Sequence, residues 1–217
     1  MKRRIPYYHI VYEDADILVV YKERDLFTIR TSDPKTSYSN LYRFLEMELS
    51  KKGERPYLVH RLDYETSGLL IFAKRLEIQQ KLQSCFEARN VVRKYEAVVA
   101  EKLPSEQHYD IRQFLTSNGK GGRVYLTDEL HGKEAITHIV TKNPIQIGTA
   151  LSISIETGRR AQIRLAIASL GWHLLGDNKY SKTPAKRMYL NAYELEFPRE
   201  TGLKQYYFKV SPLWLKP

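Results

Sequence analysis

Cysteine is almost absent: Cys85 is the only one in 217 residues, so no intramolecular disulfide framework is available. That usage suits a reducing compartment. No apolar run approaches the roughly 20 residues that a membrane-spanning helix needs. The opening MKRRIPYYHIVYEDAD starts on three basic residues but lacks the apolar core of a secretory signal. No Cys/His spacing of a metal site and no Gly-rich phosphate cradle occurs, so neither metal nor cofactor is expected. Cys85, beside Phe86 in a helical stretch, reads as core filler rather than as a nucleophile.

Acidic residues are the minority. Thirty-five Lys and Arg stand against 25 Asp and Glu, a net charge of +10, and the basic residues are interleaved with 16 tyrosines. A basic surface with aromatic platforms suits a polyanion whose bases can stack, meaning RNA or single-stranded DNA. A basic enzyme without a nucleic-acid partner fits the charge equally well. The hydrophobic fraction, 42%, supports a proper core and argues against disorder.

Along the chain, Ile10–Tyr12 and Ile17–Tyr21 are β-rich and separated by Glu13–Asp14–Ala15–Asp16, which predicts a hairpin. Thr31 to Ser37 reads as loop. Leu41, Phe44, Leu45 and Leu49 follow helical spacing, with Ser37 or Ser39 as N-cap. Ile78, Leu82, Cys85 and Phe86 mark a second amphipathic helix ending near Asn90, and Val92 to Ala100 reads as strand. Lys102 to Gly132 is the least ordered-looking part, with a surface hairpin expected at 117–123. Strands follow at Ala135–Thr141 and Leu151–Ile155, then a helix, then strands around Tyr189–Phe197 and Gln205–Val210. Hairpins mixed with helices, without βαβ alternation, give an α+β class with a largely antiparallel sheet. The expectation is a single domain, 1–217, of two lobes.

Three segments stand out. In VHRLDYETSGLLIFAK, Arg61 and Asp63 flank Leu62 between runs that read as buried strand, and a carboxylate there must be paired or useful. His60 alternates along the same run and reads as packing. In RKYEAVV, Tyr95, Ala97 and Val99 share one face. In ETGRRAQIRLAIASLGWHLLGD, Ile163, Ile167 and Leu170 form a buried stripe edged by Arg160 and Arg164. Such guanidiniums either snorkel to water or reach a buried anion, and Asp63 would be such an anion. Taken singly, each piece has a plain structural explanation: a solvated ion pair, a half-buried aromatic, a helix-edge charge.

Together, in this order and spacing, HRLDYETSGLL, RKYEAVV and TGRRAQIRLAIASLGWHLLGD resemble the RluA-type pseudouridine synthases. VYEDADILVVYK and HGKEAITHIV extend the resemblance from about residue 9 onward. It implies the family's fold, a largely antiparallel mixed sheet flanked by helices with a catalytic cleft in the middle. It also implies isomerisation of uridine to pseudouridine in structured RNA, ribosomal or transfer, without cofactor or metal. Asp63 falls on the catalytic aspartate, Tyr95 on the tyrosine that packs against the target base, and Arg164 on the arginine that pairs with the aspartate. Arg61, inside the first motif, is implied as a further substrate-binding residue. The sequence departs from the family at YKERDL, which lacks the usual Pro and Gly, and at Arg160–Ala161, where Thr-His is usual. No room is expected for the small N-terminal RNA-binding module of many relatives. Recognition then falls to this domain's own surface, with Lys2–Arg3–Arg4 and the 117–123 loop as candidates. A cytoplasmic monomer is expected. A non-catalytic RNA-binding relative, or an enzyme acting on a free nucleoside or glycoside, stays open.

Overall fold

The computed structural model describes residues 7–31, 39–119 and 122–211. Contacts divide the chain into two compact units: residues up to Val91 together with those from Glu194, and Val92–Tyr193.

In the first unit, β1 (Tyr8–Glu13) and β2 (Ile17–Lys22) form the expected antiparallel hairpin. The Asp14 carboxylate closes the turn, accepting from the Asp16 and Ile17 amides at 2.8 and 2.9 Å. Helix α1 (Leu41–Leu49) buries Leu41, Leu45 and Leu49, the i, i+4 positions that form one face. Its cap is Asn40 rather than Ser39 or Ser37: the Asn40 side chain accepts from the Arg43 amide. Asn reaches the third amide as well as Ser does, so sequence alone misassigned the start by one residue.

Strand β3 is only Tyr57–Leu58, and β4 (Ser67–Ala73) pairs with it and with β2, both antiparallel. Every residue of β2 and β4 is buried, which explains their continuous apolar runs. Helix α2 (Leu76–Glu87) then lays Ile78, Leu82, Cys85 and Phe86 on a core containing Ile17, Val19, Leu69 and Ile71. Cys85 is half-buried there, its thiol pushed up by burial, as core filler should be.

The second unit carries β5 (Val92–Val99), β6 (His108–Ser117), β7 (Val124–Thr127), β8 (Lys133–Ile145), β9 (Gly148–Ile155), α3 (Gln162–Ser169) and the start of β10 (Leu190–Glu196). Strands β5, β9, β8, β6 and β7 are neighbours in that order, all antiparallel. The stretch expected to be least ordered is therefore largely strand. In HYDIRQFLTS, the β6 sequence, the alternation that starts at His108 breaks at Gln113–Phe114 and Leu115 is the one buried residue, so the strand signal is short. Strand β10 carries the chain back to the first unit, where its last residues pair with β11 (Tyr207–Lys209). Each of these pairings is antiparallel, in keeping with the α+β reading. Among the described residues, no helix is long and apolar enough to cross a membrane.

Candidate active site

In the first unit, residues 59–66 form a loop between β3 and β4. Asp63 sits in it half-buried, with Leu62 buried on one side and Arg61 exposed beyond. The Thr66 amide donates to the Asp63 carbonyl at 3.2 Å, closing a four-residue turn. Gly68 then enters β4 with φ 131°, a region glycine occupies readily, opposite Lys22 of β2. His60 is packing, as expected, although in loop rather than strand: Nε2 accepts from the Ile71 amide at 3.3 Å and the ring lies against Phe86.

The departure from the family at Tyr21–Leu26, together with Phe27 and Thr28, lies against this loop. The side chain of Thr28 donates to the Leu62 carbonyl at 3.0 Å and accepts from the Leu62 amide at 3.2 Å. Lys22 is 0% exposed, and its ammonium donates to the carbonyls of Leu26, Glu23 and Tyr64 at 2.9, 3.0 and 3.2 Å. Burial pushes its pKa down to about 7, against the pull of Asp63, Asp25, Glu65 and Glu23. Sequence reasoning gave neither residue a role, although Lys22 closes VYEDADILVVYK, one of the segments that carry the resemblance.

In the second unit, Tyr95 is 7% exposed on β5 and lies on the same face as Ala97 and Val99. Its neighbour Arg93 is buried too and donates to the Glu156 carbonyl at 2.7 Å. Helix α3 differs from the amphipathic stripe expected of it: residues Gln162 to Ile167 are all buried. Gln162 is satisfied on both ends of its amide. Its oxygen accepts from Thr157 Oγ1 and the Arg159 amide at 2.8 and 3.0 Å, and its nitrogen donates to Ile136 O and Thr137 Oγ1 at 2.9 and 3.0 Å.

Arg164 is 4% exposed. The buried anion it reaches within this unit is Asp177, through Nε and Nη2 at 2.9 and 2.7 Å. Asp177 also accepts the Lys179 and Tyr180 amides at 2.9 and 3.1 Å. Burial raises its carboxyl, but the Arg164 guanidinium and the two amides outweigh that and hold it below the usual range. The guanidinium also lies over the Tyr180 ring, 5.0 Å from its centroid. Gly176, at φ 79°, precedes Asp177 because a Cβ there would stand 1.8 Å from the Arg187 carbonyl oxygen. Arg160, one of the departures, donates to the Gly122 carbonyl, and Arg123 donates to Lys179 O at 2.9 Å. These two bonds tie the β6–β7 turn to the segment around α3.

Among the described residues, no group of His, Cys, Asp and Glu could hold a metal ion. Lys2–Arg3–Arg4, the loop expected from residue 32 to Ser37, and Lys120 lie outside the described residues.

Residues 16–169, which contain Asp63, Tyr95 and Arg164, match the family model for RNA pseudouridylate synthase. The chain belongs to the RNA pseudouridylate synthase family. It is 35% identical over 176 residues to ribosomal large subunit pseudouridine synthase D of Vibrio cholerae, covering 79% of this chain and 52% of that protein. To the protein of the same name from Yersinia pestis it is 33% identical over 181 residues, 81% of this chain and 53% of the other. The chain thus spans about half the length of the curated relatives it matches. Among solved structures, Human RNA Pseudouridylate Synthase Domain Containing 4 superimposes with a TM-score of 0.71 over 94% of this chain and 89% of the other. At 21% identity, that is a likeness of fold. Lys22 and Thr28 lie within the matched residues as well, and Asp177 lies beyond them.

Proposed function

We propose that this chain is an RNA pseudouridine synthase in which Asp63 is the reacting carboxylate and Arg61, Tyr95 and Arg164 bind the substrate. The observation that carries the reading is Asp63 itself. The motif resemblance implies it as the catalytic aspartate; it stands inside the residues that match the family model, half-buried in a loop whose backbone is bonded on either side of it. A carboxylate held so can meet the ribosyl carbon of a uridine, either by adding to the nucleotide or by stabilising the charge that develops. The N1–C1′ bond breaks, the uracil turns, and a C5–C1′ bond forms. The proton lost from C5 is balanced by one gained at N1, and Tyr95 holds the base or takes the proton. The target uridine leaves its stack first, and the basic, tyrosine-rich composition suits RNA phosphates and an unstacked base.

Structured RNA is the substrate class. The relatives' name points to large-subunit ribosomal RNA first, with transfer RNA second. The residues act as one catalytic domain, monomeric and cytoplasmic, with no metal or cofactor taking part.

The test is Asp63→Asn. The swap is nearly isosteric, so RNA affinity should stay within several-fold of the parent, while no pseudouridine forms with enzyme in excess over RNA. Mass measurement of the purified variant guards against deamidation back to Asp. Substantial single-turnover conversion by the variant, shown by mass to be intact, would remove Asp63 as the reacting group.

A further inference from the structure

The first unit holds a cavity of about 740 Å³ in whose lining Asp63 takes no part. Its walls come from Ile29–Arg30, the start of α1, β3 and α2. Small-molecule sites commonly measure roughly 300–1,000 Å³, so a nucleotide fits. The cavity adjoins the Asp63 loop along two segments of chain. Ile29 and Arg30 follow Thr28, whose hydroxyl is bonded to Leu62, and Leu58 stands five residues before Asp63. Five residues of extended chain span at most about 18 Å, so this wall and the Asp63 backbone are no farther apart than that.

The lining has the chemistry of a nucleotide site. Tyr42 and Tyr57 are half-buried in it, and both are held. The Tyr42 hydroxyl donates to the Pro56 carbonyl at 3.1 Å, and the Arg55 guanidinium lies over the Tyr57 ring, 4.5 Å from its centroid. Rings already fixed can stack on a base with little further loss of torsional freedom. Gln79 donates its amide nitrogen to the Leu58 carbonyl at 2.7 Å, so its oxygen is the end that can accept an N–H from a base edge. Arg30 and Arg43, both exposed, supply cations for a phosphate. The one acid in the described lining, Glu46, pairs with Arg43 at 2.6 Å, a surface pair that costs little to exchange for a phosphate oxygen. An RNA whose target uridine meets Asp63 has its neighbouring nucleotides within reach of these groups.

We propose that the cavity is a second nucleotide site for the same RNA. It takes one unstacked nucleotide flanking the target, with the base on Tyr42 and Tyr57, an N–H on Gln79 Oε1 and a phosphate on Arg30 and Arg43. The inference rests on the chain acting on RNA.

The test uses the full chain. The parent is first given unmodified transcripts of large-subunit ribosomal RNA and transfer RNA, and a synthetic hairpin centred on the uridine it converts becomes the probe. Tyr42→Leu, Tyr42→Phe, Arg30→Gln and Lys51→Gln are then compared for hairpin affinity, its salt dependence and melting temperature. Stacking one base on an aromatic ring is worth about 5- to 100-fold in affinity, so Tyr42→Leu should weaken binding by that factor. Tyr42→Phe keeps the ring, loses only the Pro56 bond, and should bind as the parent does. Arg30→Gln should lower the slope of log affinity against log salt by about 0.7, the share of one single-stranded phosphate. Lys51→Gln removes an exposed charge outside the cavity and should leave that slope alone. Replacing the flanking nucleotides one at a time by abasic ones locates the occupant: at one position the abasic loss and the Tyr42→Leu loss should not add.

Tyr42→Leu at the parent affinity, or additive losses at every position, overturns the inference. So does a cavity that binds uridine 5′-monophosphate through Tyr42 while RNA affinity is indifferent to Tyr42→Leu, since the site then holds a free nucleotide. If Tyr42→Leu does not fold, the two charge variants decide, and equal slopes for Arg30→Gln and Lys51→Gln overturn it. A parent that converts no uridine in either transcript fails the reading beneath the inference, and the inference with it. An active parent whose binding ignores every change in the cavity sinks the inference alone.

Discussion

Asp177→Asn isolates the value of one buried charge. The Asp177 and Arg164 side chains are 0% and 5% exposed, and two of their hydrogen bonds form a fork, Nε to Oδ2 and Nη2 to Oδ1. Asn keeps an oxygen where Oδ1 stands, so the Lys179 and Tyr180 amides retain their acceptor and the turn survives. What disappears is the negative charge beside a desolvated guanidinium. Breaking a buried pair from one side costs about 3–5 kcal/mol. For a chain of this size each kcal/mol lowers the melting temperature by about 2–4 °C, so the drop should be roughly 6–20 °C. Thermal unfolding of the full chain reads this directly.

Arg164→Met and the double variant complete a cycle. With both charges gone, the double variant should melt well above Asp177→Asn. The pair also sets an acid limit. Folding lowers the Asp177 carboxyl below its ordinary value of 3.8, so the folded chain binds that proton less readily than the unfolded one. The stabilisation is fully present above that ordinary value and is lost as pH falls through the lower folded one. Asp177→Asn should therefore flatten the acid side of the stability curve. A variant melting within a degree of the parent, with the acid side unchanged, would refute the assignment of Asp177 as the buried counter-charge.

Two further outcomes follow from local geometry. His138 bridges Asp110 at 2.6 Å and Glu156 at 3.1 Å; the Asp110 bond raises its pKa most, burial lowers it less, and Glu156 adds to the rise. Its contribution is present below the ordinary 6.5 and fades as pH rises through the raised value; a ring titration by NMR below 6.5, or an unchanged pH profile of melting in His138→Gln, would contradict this. Gly176→Ala should destabilise by about 2 kcal/mol or more, because positive φ and the overlap with the Arg187 carbonyl act together. Urea unfolding with a midpoint equal to the parent's would show the backbone there to be free to adjust.

Much of this molecule was legible in its sequence. The β1–β2 hairpin, the apolar strands, both helices of the first unit and the antiparallel α+β class follow from period and turn chemistry, which act over a few residues. The motif resemblance singled out Asp63, Tyr95 and Arg164, and all three lie within the residues that match the family. Other features needed the tertiary structure. Strand β6 was hidden because its alternation breaks at Gln113–Phe114; helix α3 was expected, but not the burial of every residue from Gln162 to Ile167.

The partners of the charged residues were the least accessible. Lys22 ends an apolar strand, and nothing in YKERDL shows that its ammonium turns inward to Tyr64, 42 residues on. Thr28 meets Leu62 across 34 residues, and Arg164 meets Asp177 across 13. Local sequence determines where a charge sits along the chain. Whether that charge is solvated or buried, and which carbonyl or carboxylate answers it, is decided only when distant segments pack and water is excluded, because desolvation makes an unanswered charge too costly to keep.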